Sequence, residues 1–313
     1  PTKDDRSTYA SAIENIETGG GTGAEIHNAY YLFYQNVRTD QMEELLALCK
    51  NVTNWNECFY QANIAKDLVI DMTSITTNDK TSLFNDARIS SDSLELTFTI
   101  NANKFWLYAF KNLNINSTKG LINIIVNDAG QPITLREAFR YSKNIKSVQI
   151  NGDLSQVTNL NYMFDAFNQN CTKAGIMEVL DMSNWSLDYS KITGFFQAFS
   201  YTSFKQIIFG DTKPTLGDGQ KGAMFKQSTK LEEIGLNIVE NGTSFQGSNN
   251  ISAMFSGCTA LTKVEADSAW VIKSGNPDYL FQNCKKLVQV PAIEWKATGD
   301  NNNSLTGAYQ NCV

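Results

Sequence analysis

The side chains that carry most covalent and acid–base chemistry are sparse in this chain of 313 residues, so their spacing decides which chemistry is open to it. Its one histidine, His27, stands beside the run Gly19-Gly20-Gly21-Thr22-Gly23 with no Cys or Ser partner set nearby, so no imidazole-activated nucleophile is expected. The adjacent acids Asp4-Asp5, Glu43-Glu44 and Glu232-Glu233 read as solvated faces, because general acid and base work needs carboxylates held across a cleft in different environments. Gly217-Asp218-Gly219-Gln220-Lys221-Gly222 matches the glycine spacing of a dinucleotide loop. The apolar stretch before it, Ile207 to Phe209, is cut off by Gly210 to Pro214, whereas a phosphate-cradling loop leaves its strand directly. Asp211 and Asp218 lack the rest of a calcium-loop ligand series. Six cysteines without a C-x-x-C pair suggest neither zinc nor redox work. The expectation is a non-enzymatic chain with no catalytic residue, no cofactor and no metal.

Three of the cysteines belong to a pattern of another kind. In Ile251 to Val264, the aromatic Phe255 is followed by a small residue three places on (Cys258), an aliphatic six on (Leu261) and a β-branched residue nine on (Val264). The same offsets recur at Phe281, Cys284, Leu287, Val290, at Phe225, Ser228, Leu231, Ile234, and at Phe139, Ser142, Ile145, Val148. Taking these aromatics as register marks gives Phe33, Phe59, Phe84, Phe110, Phe139, Phe164, Phe199, Phe225, Phe255, Phe281 and Tyr309, at intervals in or just above the leucine-rich-repeat range. Cys258, Cys284 and Cys312 share one repeat position. There they form either a column of small buried residues or, as the sharper alternative, a Cys284 to Cys312 disulfide.

These marks predict the elements. Each repeat reads as a short turn or helix carrying the aromatic inward, a polar bend, then a strand. Predicted strands are Leu68 to Met72, Leu94 to Ile100, Leu121 to Val126, Val148 to Ile150, Met177 to Met182, Ile207 to Phe209, Ile234 to Leu236, Val264 to Ala266 and Val288 to Val290. One such unit cannot bury its apolar side alone, so neighbours must stack into a solenoid. Residues 1–28 read as a polar leader and Gly-rich linker. Residues 29–313 read as a solenoid of about ten turns. A helical cap is expected at Met42 to Cys49, with longer loops near Asn168 to Gly175 and Asn241 to Asn250. The segment Ala308 to Val313 stops where a strand should follow, so a truncated C-terminus is expected.

A formal charge of -6, with no cluster of Lys and Arg, argues against nucleic acid as a partner. No apolar run approaches the roughly 18 residues that a spanning helix needs, so no membrane insertion is expected.

Leu180-Asp181-Met182-Ser183-Asn184-Trp185, followed by Ile192-Thr193-Gly194-Phe195-Phe196-Gln197-Ala198-Phe199, resembles the BspA-like leucine-rich repeat. Val157-Thr158-Asn159-Leu160-Asn161-Tyr162-Met163-Phe164 is similar to its second half, and Ala292-Ile293-Glu294-Trp295 to its first. The resemblance implies an α/β repeat solenoid with a parallel β-sheet along one face and short helices or turns on the other. It also implies an extracellular recognition or adhesion module that binds protein or glycan on a bacterial or host cell surface. The leader Ala12-Ile13-Glu14-Asn15-Ile16-Glu17-Thr18-Gly19-Gly20-Gly21 resembles a segment preceding such repeats in phage tail-associated proteins. The leading expectation is accordingly a phage tail or receptor-binding protein in the virion, whose leader contacts other tail or surface-assembly subunits. A bacterial cell-surface adhesin is the alternative, and a glycan hydrolase the third reading.

Strand alternation turns Glu95, Gln149, Asp181 and Glu265 outward, where they could meet a ligand. Trp185, Tyr201, Trp270 and Trp295 are the aromatic contact candidates. Trp185 and Trp295 also occupy a framework position of the resembled repeat, so packing is the competing role for them.

Overall fold

The computed structural model describes residues 57–64, 68–72, 82–89, 95–100, 108–115, 121–126, 133–171, 174–241, 251–273, 277–295 and 306–312. His27, the leader, Phe33 and the helical cap expected at Met42 to Cys49 lie outside them. So does most of the long loop expected at Asn241 to Asn250.

Among the described residues all strand pairs are parallel, and each pair joins strands one coil apart along the chain. A four-stranded sheet runs β2 (Leu68–Met72), β4 (Glu95–Ile100), β6 (Leu121–Val126), β8 (Ser147–Gly152). A second runs β10 (Val179–Asp181), β11 (Gln206–Ile208), β13 (Glu233–Gly235), β15 (Lys263–Glu265). Flanking them are β1 (Asn63–Ile64), β3 (Arg88–Ile89) and β5 (Asn114–Ile115), and the pairs β7 (Ile133–Thr134) with β9 (Val157–Asn159), β12 (Thr215–Leu216) with β14 (Asn237–Ile238), and β16 (Trp270–Ile272) with β17 (Ile293–Trp295). The architecture is a parallel β-solenoid. Two predicted strands, Leu68 to Met72 and Leu121 to Val126, match to the residue. Val288 to Val290 forms only an isolated bridge, Lys263 to Gln289.

The interior is organised by the aromatic anchors. Rings from Phe59 through Phe84, Phe110, Phe139, Phe164, Phe199, Phe225, Phe255 and Phe281 to Tyr309 form one continuous stack, with neighbouring centroids 4.5–6.1 Å apart. Offset stacking at such separations adds to the area buried by each ring. The residue before each anchor is buried too.

The anchors do not ride on helices, and this corrects the expectation of short helices on the face opposite the sheet. The described residues contain one 3-10 turn, Ser183–Trp185, and otherwise turns. The residues two before and two after every described anchor have φ between 52° and 80°. A left-handed residue at every fourth position excludes an α-helix. The hydrogen bonds show why the chain takes this form. Around Phe139, alternate amides leave the coil: Glu137 donates to Asn161 O (3.0 Å), Phe139 to Met163 O (2.8 Å) and Tyr141 to Asp165 O (2.8 Å). The amides between them close tight turns within the coil, from Ala138 to Leu135 O (3.1 Å), Arg140 to Glu137 O (3.2 Å) and Ser142 to Phe139 O (3.2 Å). Every second N–H is thus spent on the next coil, which a helix would have kept for itself. The turn face is therefore as rigidly laddered as the sheets.

Candidate binding surface

Tyrosines occupy several of the left-handed positions two places from an anchor: Tyr108, Tyr141, Tyr162, Tyr201 and Tyr279. Tyr141 and Tyr279 are exposed, and so is the ring of Tyr309 at the last described anchor.

Four successive coils build one cluster on the turn face. Arg140, directly after Phe139, places Nε 2.9 Å from Asp165 Oδ2 and Nη1 3.0 Å from Glu137 Oε2. Its Nη2 donates to the Tyr141 hydroxyl at 2.9 Å. The guanidinium lies over two rings, 4.6 Å from the centroid of Tyr141 and 4.4 Å from that of Tyr162. On the preceding coil Lys111 donates to Glu137 Oε2 at 2.9 Å and sits 4.7 Å from the Tyr108 centroid. On the far side the Ser200 hydroxyl donates to Asp165 Oδ1 at 2.6 Å, and Tyr162 meets Phe196 edge to face at 5.3 Å. Burial raises the Glu137 carboxyl, but hydrogen bonds and charges from Lys111 and Arg140 outweigh it and hold the group below its ordinary value. Burial also pushes the Tyr162 hydroxyl up. Both carboxylates are already engaged by cations. The cluster is suited to presenting fixed aromatic and cationic surface, and not to moving protons.

The residues named from sequence scatter. Gln149 on β8 and Asp181 on β10 are exposed on the two four-stranded sheets. Asp181 turns its Oδ1 back to accept the Ser183 amide at 2.9 Å. Glu265 on β15 is held by ion pairs with Lys263 and Lys213. Glu95 stands on β4 in register with Leu121. Tyr201 is half-buried at a left-handed position after Phe199. Trp185 and Trp270 are interior residues and take no part in a surface. Trp185 lies against Phe164, and Trp270 stacks near Phe255 while its Nε1 donates to Leu236 O at 3.0 Å. Trp295 on β17 packs partly buried against the core. The Arg140 cluster escaped sequence reading; the available signal was the recurrence of tyrosine two places from an anchor.

Other sequence readings also meet the structure. A strand, β12, does run directly into Gly217, contrary to the separation expected there. It leads into the turn ladder of Phe225 instead of a helix, so no helix N-terminus faces a phosphate. Gly219 is required by space as well as by its φ of 135°, since an added Cβ would come within 2.4 Å of the Thr193 carbonyl oxygen. Glu232 and Glu233 are both exposed. Cys258, Cys284 and Cys312 are free thiols in one column, the first two buried. Among the described residues, no three His, Cys, Asp or Glu side chains converge as metal ligands, and no helix is long and apolar enough to cross a membrane. Compared with family models, with curated proteins and with solved structures, the chain matches none.

Proposed function

We propose that this solenoid is a non-enzymatic recognition module whose turn face, around Arg140, Tyr141 and Tyr162, docks on protein or glycan at a cell surface. The observation that carries the reading is that cluster: one cation fixed against two tyrosines by two carboxylates across consecutive coils, with Tyr141 open to solvent. Aromatic and arginine side chains immobilised before binding lose little entropy on contact, which makes them effective anchors. The stacked interior supports the reading by making the exterior free to vary from coil to coil without disturbing the core.

The setting we favour is a phage or phage-tail-like particle that recognises a bacterial surface. Its support is the resemblance of the repeats to the BspA type and of the leader to tail-associated chains. The test pairs two measurements. The purified chain is added to a panel of bacterial cells, and to host matrix proteins, with Tyr141→Ala and a Tyr162→Ala/Tyr141→Ala double variant beside it. Particles from a producing culture are probed with an antibody against the chain. Binding to bacteria reduced at least tenfold in the double variant, with label on particles, is expected. Binding to matrix proteins with label on the cell envelope would replace the particle by an adhesin. Glycan release from the cells, abolished by replacing an acidic residue, would overturn the non-enzymatic reading.

A further inference from the structure

Among the described residues, the interior column four places before the anchors is apolar except in the coil of Phe225. Four places before their anchors, Leu135, Leu160, Phe195 and Ile251 are all buried, and the equivalent residue before Phe225 is Lys221. On the flanking sheet Val239 bridges Val271, which brings Glu240 into register with buried Ile272. The two charged residues meet. Lys221 Nζ lies 3.3 Å from Glu240 Oε1, with the side chains 1% and 0% exposed. Nζ also donates to the Gly219 carbonyl at 3.0 Å, and the Lys273 amide donates to Glu240 Oε2 at 2.9 Å. Burial pulls the Lys221 amine down, against the upward pull of Glu240 and Asp218.

We propose that Lys221 and Glu240 condense into an intramolecular isopeptide bond, a covalent tie within this coil. A proton passes from Nζ to Oε1, leaving an amine and a carboxylic acid in a site without solvent, where separated charges are costly. The amine lone pair attacks Cδ and the Nζ–Cδ bond forms. The charge that develops on Oε2 meets the Lys273 amide, a donor already in place. A second Nζ proton goes to Oε1, the Cδ–Oε1 bond breaks and water leaves. The ammonium and the carboxylate thus become one amide and one water, with no oxidant or other reactant. Holding the two groups at contact distance supplies the high effective concentration that such a step needs. Gly219 fixes the amine from the other side. The tie stands independently of what the surface recognises.

The experiment is the intact mass of the purified full chain followed by tryptic mapping. A mass about 18 Da below that of the sequence is expected, the difference being one water. Trypsin should fail to cut after Lys221, and a branched fragment should join the peptides holding Lys221 and Glu240. The double variant Lys221→Met/Glu240→Leu gives both positions the apolar character of their buried neighbours Phe195, Ile251 and Ile272, so it should fold and show its full sequence mass. Full mass in the native chain, with cleavage after Lys221, would reduce the pair to a buried ion pair. A deficit that persists in the double variant would place the lost water elsewhere and equally overturn the assignment.

Discussion

The Cys258 thiol donates to the Phe225 carbonyl oxygen at 3.0 Å, the carbonyl of the anchor one coil earlier. The relationship repeats along the column: Ser228 to Phe199 O at 2.7 Å, Cys284 to Phe255 O at 3.1 Å and Cys312 to Phe281 O at 2.9 Å. A small donor three places after the anchor gives that buried carbonyl a second partner. Hydroxyl and thiol are interchangeable here because the job is hydrogen bonding and size.

Thiol reactivity should follow from that arrangement. Burial, with a neighbouring thiol, pushes Cys284 up to about 12 and Cys258 well above the ordinary range. Cys312 is raised less and is partly open. Since the thiolate is the reacting form, native protein at pH 8 should alkylate at Cys312 at least tenfold faster than at Cys258 or Cys284. Mass mapping after timed iodoacetamide treatment reads this, and denaturant should abolish the difference. Equal labelling in the native state would show that the column is open.

Phe255→Ala should cost about 3–5 kcal/mol through loss of a buried ring. Its ring lies 5.1 Å from Phe225 and 5.3 Å from Phe281, so the cavity opens between two neighbours. Solenoid coils couple chiefly to adjacent coils. Hydrogen exchange should therefore accelerate first around Phe225 and Phe281 and remain slow at Phe59 and Phe84. Equal loss of protection at the remote anchors would contradict this local coupling.

The aromatic column was legible in sequence because one residue type returns at a bounded interval, and the strands because Leu121 to Val126 or Val148 to Ile150 must stack to bury anything. The turn conformation was not legible. Tyr108, Glu137 and Gln197 have positive φ although nothing in their side chains favours it, and their amides bond to the next coil in that conformation. The Arg140 cluster was hidden because its members come from four coils at unequal intervals. Trp270 was misleading in the other direction. Tryptophan is enriched at interfaces and so reads as a contact candidate, while its indole N–H has a carbonyl partner inside.

Backbone strain at the turns is open to direct test by opposite substitutions in one coil. Ala253, two places before Phe255, has φ 53°, a region where a Cβ is unfavourable. Ala253→Gly should raise stability by about 0.5–1 kcal/mol, the relief of that strain less the greater freedom of glycine in the unfolded chain. Gly257, two places after the anchor, has φ 80°, and a Cβ there would come within 2.2 Å of Gln227 Nε2. Gly257→Ala should lower stability by about 1–2 kcal/mol. Urea unfolding of the two variants reads both signs, and a loss in Ala253→Gly would show that its methyl contributes more than the strain costs.

Acid should weaken the Arg140 cluster. Burial raises the Glu137 carboxyl, but Lys111 and Arg140 more than offset it and leave the folded-state value below the unfolded one. Between those two values the unfolded chain binds more protons, so stability falls as pH falls. The contribution is complete above the ordinary carboxylate range of about 4–4.5 and is lost as pH drops through the lower folded value. Glu137→Gln keeps the shape but removes the charge, and should cost about 1–2 kcal/mol at pH 7 through weakened hydrogen bonds to Lys111 and Arg140. Below about pH 4 the gap between variant and parent should narrow, because the parent is then losing the same charge. Urea midpoints measured from neutral to acid pH read the difference, and a gap that stayed constant throughout would mean that the charge of Glu137 does not carry its contribution.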